Sequence, residues 1–481
     1  MMDKLKTILF YIITISLGAF LLLVLSTAIY HKPILVLTSI PLLLGVKLLL
    51  KNVKVDFKSQ SSKIIFIIIL SLIVKTLICG LYFPTLEADY STYYMFAKQY
   101  TESFVIGTNT LYIALFNHVF GYSFVLSLLF SIFSEKTIVA IIFNIVVSTI
   151  SSILIYLIGK KCFDEKVGFA SSILWILCPS QSLWNSFVLS EPLYTCLILL
   201  IMYLLISNKE KVLNKKREIG IALLIGLLLS VFNMVRPVGI IVLIAIFIYL
   251  LFYYNSKLLF KILMFVAIFV TYSIFKLGIN HLSEVRNNVN LSGFSWYNVN
   301  VGLNYDSYGQ WNEEDWDRVL TNVNKYSNEN EENPGLKAQE EEKKLVIDNL
   351  KEIKNPFLFI FNKVYIFIGS DDGVVEHLSN CHSFTDVKQS KSLSLLCNVY
   401  YYFLLLTSIA GTIVYIKKEK NNSNKSIIIV MLYCLGLTCG HMIAEVQPRY
   451  HYSVLLIMFF MTAYYLYNNK KEDSKKKIKN K

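Results

Sequence analysis

Residues 137–158 read TIVAIIFNIVVSTISSILIYLI, without one charged side chain, and Gly159-Lys160-Lys161 follows at once. A helix crosses the hydrocarbon core of a bilayer with about 20 apolar residues, so this stretch is expected to span a membrane. Working outward from it, runs of the same kind recur at 7–30, 33–50, 64–83, 167–183, 187–206, 219–235, 238–254, 258–279, 393–416, 427–445 and 450–467. That makes twelve expected crossings. The first run is too long for a signal peptide and lacks a small-residue cleavage site, so it is read as a retained helix. Composition agrees, because the 481 residues are 55% apolar and only 16% charged, against about 25% charged in an ordinary soluble domain. The expected fold class is an all-α polytopic membrane protein.

The net charge of +13 would suit a nucleic-acid binder, but the basic residues sit in short clusters between apolar runs, which excludes one. Counting Lys and Arg in short loops sets the orientation, since these resist translocation. With a cytoplasmic N-terminus, the inside segments hold 26 of them and the short outside segments only five: Lys32, Lys98, Lys136, Arg236 and Arg449. Both termini are therefore expected to be cytoplasmic, in a plasma-membrane protein. The eight cysteines are scattered with no CxxC pair, so neither a disulfide framework nor a zinc site is expected.

The chain divides accordingly. Residues 1–63 form two membrane helices and a cytoplasmic loop, and 64–279 a membrane core with a first outer loop at 84–136. Residues 280–392 form an extracytoplasmic lid, 393–467 three further helices, and 468–481 a basic tail. The lid portion 280–356 carries 14 acidic and 8 basic residues, the reverse of the whole chain. In it Pro334 opens a helix to Ile353, and Asn355-Pro356 closes it. Two apolar stretches, 110–133 and 357–369, lie between points already assigned outside and are expected to rest in the outer interface. The aromatic run 296–316 offers flat faces for sugars or for anchoring at that interface.

The chemistry is concentrated at outer helix ends. Glu87 and Asp89 follow the third span in PTLEADYSTYYMFAKQY (84–100), beside Tyr90, Tyr93 and Tyr94. Carboxylates there are expected to be partly desolvated, with proton affinity raised toward that of a general base. Glu191 stands at the outer start of the sixth span, next to an apolar face with no cation near it in sequence, and ionisable groups at such depth are usually functional. Arg236 in NMVRPVG and Arg449 in EVQPRYHY are two of only five arginines, beside 41 lysines. A guanidinium fork fits a phosphate as an ammonium does not, and the anion available at this depth is a lipid phosphate. Lys75, two turns below the outer end of the third span, is expected to snorkel. His118 is placed to touch a substrate. His377 and His382, near Asp371 and Asp372, give the one place where a divalent metal is conceivable, although no metal ligand is assigned and no cofactor is required.

Taken in order, ADYSTYYMFA, FNHVFGYSF, the run from Ile142 to Ser180, SFVLSEPLY, NMVRPVG and EVQPRYHYSV resemble the GT-C class of integral-membrane glycosyltransferases, close to family 39 and its bacterial polymer-modifying relatives. The resemblance covers about 64–467. It departs at Asn117, where many members carry proline, and it leaves the first two spans without a family role. It implies Asp89 as the catalytic carboxylate, Glu191 in the same cavity, and Arg236 and Arg449 on the phosphate. Glu87, Tyr94, His118 and Glu445 join those arginines as substrate-binding candidates. It implies a polyprenyl-phosphate-linked sugar as donor, used on the outer face, and a glycan, lipid or protein hydroxyl as acceptor. Two other readings fit twelve spans: a transporter or flippase of lipid-linked sugars, and an outer-face glycan polymerase or ligase.

Overall fold

The computed structural model describes residues 2–52, 59–107, 110–208, 215–384, 387–418 and 425–479. Among them the structure is helical throughout, with no strand. The loops 53–58, 209–214 and 419–424, which carry part of the basic count, lie outside the described residues, as do 480 and 481.

The chain begins with a hairpin, α1 (Met2–His31) and α2 (Pro33–Asn52), and α3 (Gln60–Leu81) follows. The segment expected as the first outer loop holds α4 (Ala88–Glu102), α5 (Thr110–Leu115) and α6 (His118–Ile132). Then come α7 (Thr137–Cys162), α8 (Glu165–Leu177), α9 (Pro179–Leu183), α10 (Glu191–Asn208), α11 (Lys215–Val235), α12 (Gly239–Tyr253) and α13 (Leu258–Asn287). The lid is built of α14 (Trp296–Leu303), α15 (Glu313–Asn328), α16 (Pro334–Glu352), α17 (Pro356–Val364) and α18 (Gly373–Asn380). Three helices end the chain: α19 (Val387–Lys418), α20 (Ile428–Ile443) and α21 (Leu456–Lys479).

Among the described residues, six helices are long and apolar enough to cross a membrane: Lys4–His31, Gln60–Leu81, Thr137–Cys162, Lys215–Val235, Leu258–Asn287 and Val387–Lys418. Shorter apolar helices include Glu191–Ser207, Gly239–Tyr253, Ile428–Ile443 and Leu456–Tyr467. The run expected as one crossing at 167–183 is broken. Cys178 is extended (φ −69, ψ 115) because Pro179 disfavours helical backbone in the residue before it, so α8 stops and α9 starts anew. The last crossing starts late as well: Pro448 opens a 3-10 turn to His451, and regular helix resumes only at Leu456.

Packing follows the small and polar residues. α7 and α8 approach at Gly159 and Gly168, where a Cβ on Gly159 would sit 2.7 Å from the Gly168 Cα. Small residues let backbones meet this closely where no hydrophobic effect drives helices together. On α3 the buried positions are Ile67, Ser71, Lys75 and Cys79, one stripe at helical spacing facing α7, α8 and α9. Lys75 therefore does not snorkel. Its stripe faces protein rather than lipid, its side chain is fully buried, and its Nζ has no hydrogen-bond partner.

Capping matches the sequence in the lid. Asn333 caps α16 by accepting from Leu336 N at 2.9 Å, and Asn355 caps α17 by accepting from Leu358 N at 3.0 Å, each just before a proline. The aromatic run expected to stack on sugars or the interface instead fastens the lid. Trp316 stacks on Phe116 at 5.8 Å, and buried Tyr297 meets Phe116 at 5.5 Å. Gly302 presses against Ala444, its added Cβ reaching 2.3 Å from the carbonyl carbon, so only glycine fits. Glu445 N donates to Asn298 O at 2.8 Å and Val446 N to Gly309 O at 2.9 Å. The lid is thereby joined to the loop between α20 and α21.

Candidate active site

The starts of α4 and α10, the end of α11 and the 3-10 turn before α21 bring four side chains together. Asp89 lies in the first turn of α4, after Ala88, whose φ of 45 is a strained value for a residue with a Cβ. Glu191 is the first residue of α10. Arg236 follows the last residue of α11, and its backbone N still donates to Phe232 O at 2.8 Å. Arg449 sits in the 3-10 turn that Pro448 opens. Sequence separations of up to 360 residues collapse into one cluster.

Arg449 Nη2 donates to Asp89 Oδ2. Its Nε lies 3.9 Å from Glu191 Oε1, and Arg236 Nη1 lies 3.9 Å from the same oxygen. The Tyr450 ring supports both cations, with Arg236 Cζ 4.1 Å and Arg449 Cζ 5.5 Å from its centroid. Glu191 is 1% exposed. Ser190 Oγ donates to Glu191 Oε2 at 3.3 Å, but Glu191 Oε1 and Arg449 Nε have no hydrogen-bond partner. A separation of 3.9 Å gives charge attraction without a hydrogen bond. Arg449 Nε thus keeps donor capacity that no acceptor among the described residues takes up.

The titration of Asp89 departs from the sequence reading. Burial pushes its pKa up, as expected, but the Arg449 guanidinium pulls harder and leaves it below the ordinary carboxylate value. The distant arginine, invisible from the local sequence, reverses the sign. Glu445 behaves in the opposite way: burial raises its pKa against the hydrogen bond it accepts from Gln447 Nε2 at 2.6 Å. Tyr90 OH shares a 2.9 Å hydrogen bond with His377 Nδ1, and burial together with Arg449 lowers the His377 pKa to about 4. His118 stands within the electrostatic reach of Asp89, Arg236 and Arg449.

Two expected site residues fall elsewhere. Glu87 occupies the N-cap position of α4 without capping it, and its Oε1 accepts from Thr85 Oγ1 at 3.0 Å. Tyr94 donates to Glu135 O at 2.8 Å and packs edge-on against Phe130, so it serves the α4–α6 contact. Tyr90 and Tyr450, neighbours of Asp89 and Arg449, were not singled out from the sequence, although adjacency alone marked them. The metal idea finds no fit. Asp371 accepts from Ser180 and pairs with His451 at 3.0 Å, whereas Asp372 pairs with Lys32 at 2.8 Å. No group of three or more His, Cys, Asp and Glu suited to a metal ion occurs among the described residues.

Residues 117–277, which include His118, Glu191 and Arg236, match the family model of dolichyl-phosphate-mannose-protein mannosyltransferases. No curated protein sequence matches the chain. Among solved structures it is similar to the archaeal oligosaccharyltransferase AglB from Archaeoglobus fulgidus, solved with an inhibitory peptide and a dolichol-phosphate. The identity is 11%, covering 87% of this chain and 51% of that one, with a TM-score of 0.48. It is also similar to ArnT from Cupriavidus metallidurans bound to undecaprenyl phosphate, at 10% identity over 82% of this chain and 78% of that one, with a TM-score of 0.43. The chain spans about half the length of the archaeal enzyme.

Proposed function

We propose that the protein moves a sugar from a polyprenyl-phosphate donor to an acceptor hydroxyl at the outer face of the membrane. The observation that carries this reading is the single cluster of Asp89, Glu191, Arg236 and Arg449, in which Arg449 Nε has no hydrogen-bond partner among the described residues. A prenyl-linked sugar keeps its tail in the bilayer and presents its phosphate at the head-group plane, where helix ends lie. Lys63 at the start of α3, whose other end leads into the segment of Asp89, and Lys160 at the end of α7 both pair with Glu165, at 3.1 and 3.3 Å. Basic residues mark the cytoplasmic side, which supports an outward-facing cluster and cytoplasmic termini.

In this mechanism the donor phosphate draws Arg449 off Asp89 and is held by Arg449 and Arg236. Released from its cation, Asp89 regains the proton affinity a base needs. It takes the proton of the acceptor hydroxyl as that oxygen bonds to the anomeric carbon. The bond from that carbon to the phosphate oxygen breaks, and its electron pair leaves with the polyprenyl phosphate, whose growing charge the two arginines stabilise. One in-line attack inverts the anomeric centre. Glu191 keeps the arginines in place between turnovers.

Replacing a general base costs about 10²–10⁴-fold in rate. Asp89→Asn is expected to lose that much transfer from a labelled lipid-linked sugar while remaining folded in the membrane. Wild-type transfer by this variant would reject the assignment. A polyprenyl monophosphate as the released product separates this reaction from joining of glycans carried on a diphosphate.

A further inference from the structure

A groove apart from the cluster residues opens near the 3-10 turn that carries Arg449. It measures about 350 Å³ and is lined by Lys32, Gln310, Tyr365, Asp372, Glu376 and Ser394, among others, with Pro448 in its wall. That volume lies within the usual range for small-ligand sites, about 300–1,000 Å³. Resting on the glycosyltransferase reading, we infer that this groove receives the acceptor, and that the acceptor portion it holds is an uncharged, polyhydroxylated sugar.

Its position is the first argument. Pro448 precedes Arg449, and Glu376 precedes His377, whose ring is hydrogen-bonded to Tyr90 beside Asp89. Two residues of the groove lining are thus sequence neighbours of residues at the cluster.

Its chemistry is the second. Carboxylate, amide and hydroxyl groups at the rim match the paired hydroxyls of a sugar, and Tyr365 supplies a flat face. That face is held in orientation from behind, where His31 stacks on Tyr365 at 3.8 Å. The one cation, Lys32, is committed to Asp372 at 2.8 and 2.9 Å, and Ser394 Oγ also donates to Asp372 at 2.6 Å. Glu376 has no ion-pair partner among the described residues, so the groove keeps a net negative charge that repels a phosphate-rich polymer. A neutral sugar suffers no such repulsion.

The third argument concerns the N-terminal hairpin, which lies outside the part of the chain resembling known transferases. Its tip, His31-Lys32, is the piece that builds one side of the groove. The hairpin thus gains a role in acceptor recognition.

The test uses the full chain in lipid nanodiscs, with maltotriose as neutral probe and poly(glycerol phosphate) as anionic probe. Saturation-transfer NMR reads binding, and hydrolysis of a labelled polyprenyl-phosphate sugar without acceptor reads donor chemistry. Ser390→Trp narrows the groove, and Glu376→Gln is a mild change at an exposed side chain. Maltotriose signals are expected in the wild type and at least tenfold weaker in both variants, with donor hydrolysis unchanged and no signal from the polyanion. Maltotriose binding absent from the wild type, binding that survives both variants, or preference for the polyanion overturns the groove while leaving the donor chemistry intact. Absence of donor turnover in the wild type sinks the transferase reading instead, and the acceptor role with it.

Discussion

Two buried arginine–carboxylate centres lie in this molecule, and they are built in opposite ways. In the lid, Arg318 meets Glu342 through two nitrogens at 3.1 and 3.0 Å and Asp315 at 2.6 Å. Asn300 completes Glu342 at 2.8 Å, and Asn304 and Asn312 complete Asp315 at 3.0 and 2.6 Å. Hydrogen bonds there are closed on every side. In the cluster, two arginines stand 3.9 Å from one Glu191 oxygen that bonds to neither. A saturated centre holds a fold together, whereas an unsaturated one retains binding capacity for something else. The contrast separates the two roles better than burial does, since Glu342 and Glu191 are equally buried.

Breaking the saturated centre should cost stability. Arg318→Met leaves Asp315 and Glu342 buried without their cation, a loss of about 3–5 kcal/mol, seen as a lower Tm of the purified protein. Breaking the unsaturated centre should cost activity instead. Arg236→Lys keeps the charge but loses the planar stack on Tyr450, and is expected to cut transfer by about 10- to 100-fold with Tm nearly unchanged. If Arg236→Lys instead lowers Tm as much as Arg318→Met, the division of labour is wrong.

The smallest effect sharpens the edge of the cluster. The pKa of His377 is lowered in the fold to about 4 from 6.5, so the unfolded chain binds the proton more readily between those values. Its contribution is full above about pH 6.5 and is lost as pH falls toward 4, about 1–2 kcal/mol after allowing for solvent at this half-buried ring. His377→Gln should flatten the Tm–pH curve over that window. An unchanged curve would show the ring to be freely solvated.

The arginines were legible because they are rare, sit beside prolines and fall at the ends of apolar runs. Their meeting with Asp89 and Glu191 in one cavity is what the family resemblance implies, and the coordinates bring all four together. What local sequence does not encode is the sign of the Asp89 titration, because the deciding cation lies 360 residues away. Lys75 shows a different failure. The stripe Ile67, Ser71, Lys75, Cys79 was present in the sequence, but a lysine in an apolar run reads as lipid-facing unless its polar companions at helical spacing are noticed. Pro179 was equally visible, and hydropathy alone carried the expected crossing straight through it. The aromatic lid residues misled because stacking on Phe116 and stacking on a sugar demand the same side chains.

Gly302 has a consequence for how the molecule responds to force. Because the lid backbone is bonded to Glu445 and Val446, and Arg449 follows three residues after Val446, the outer segment and the guanidinium travel as one piece. A displacement of the lid would therefore be felt by Arg449.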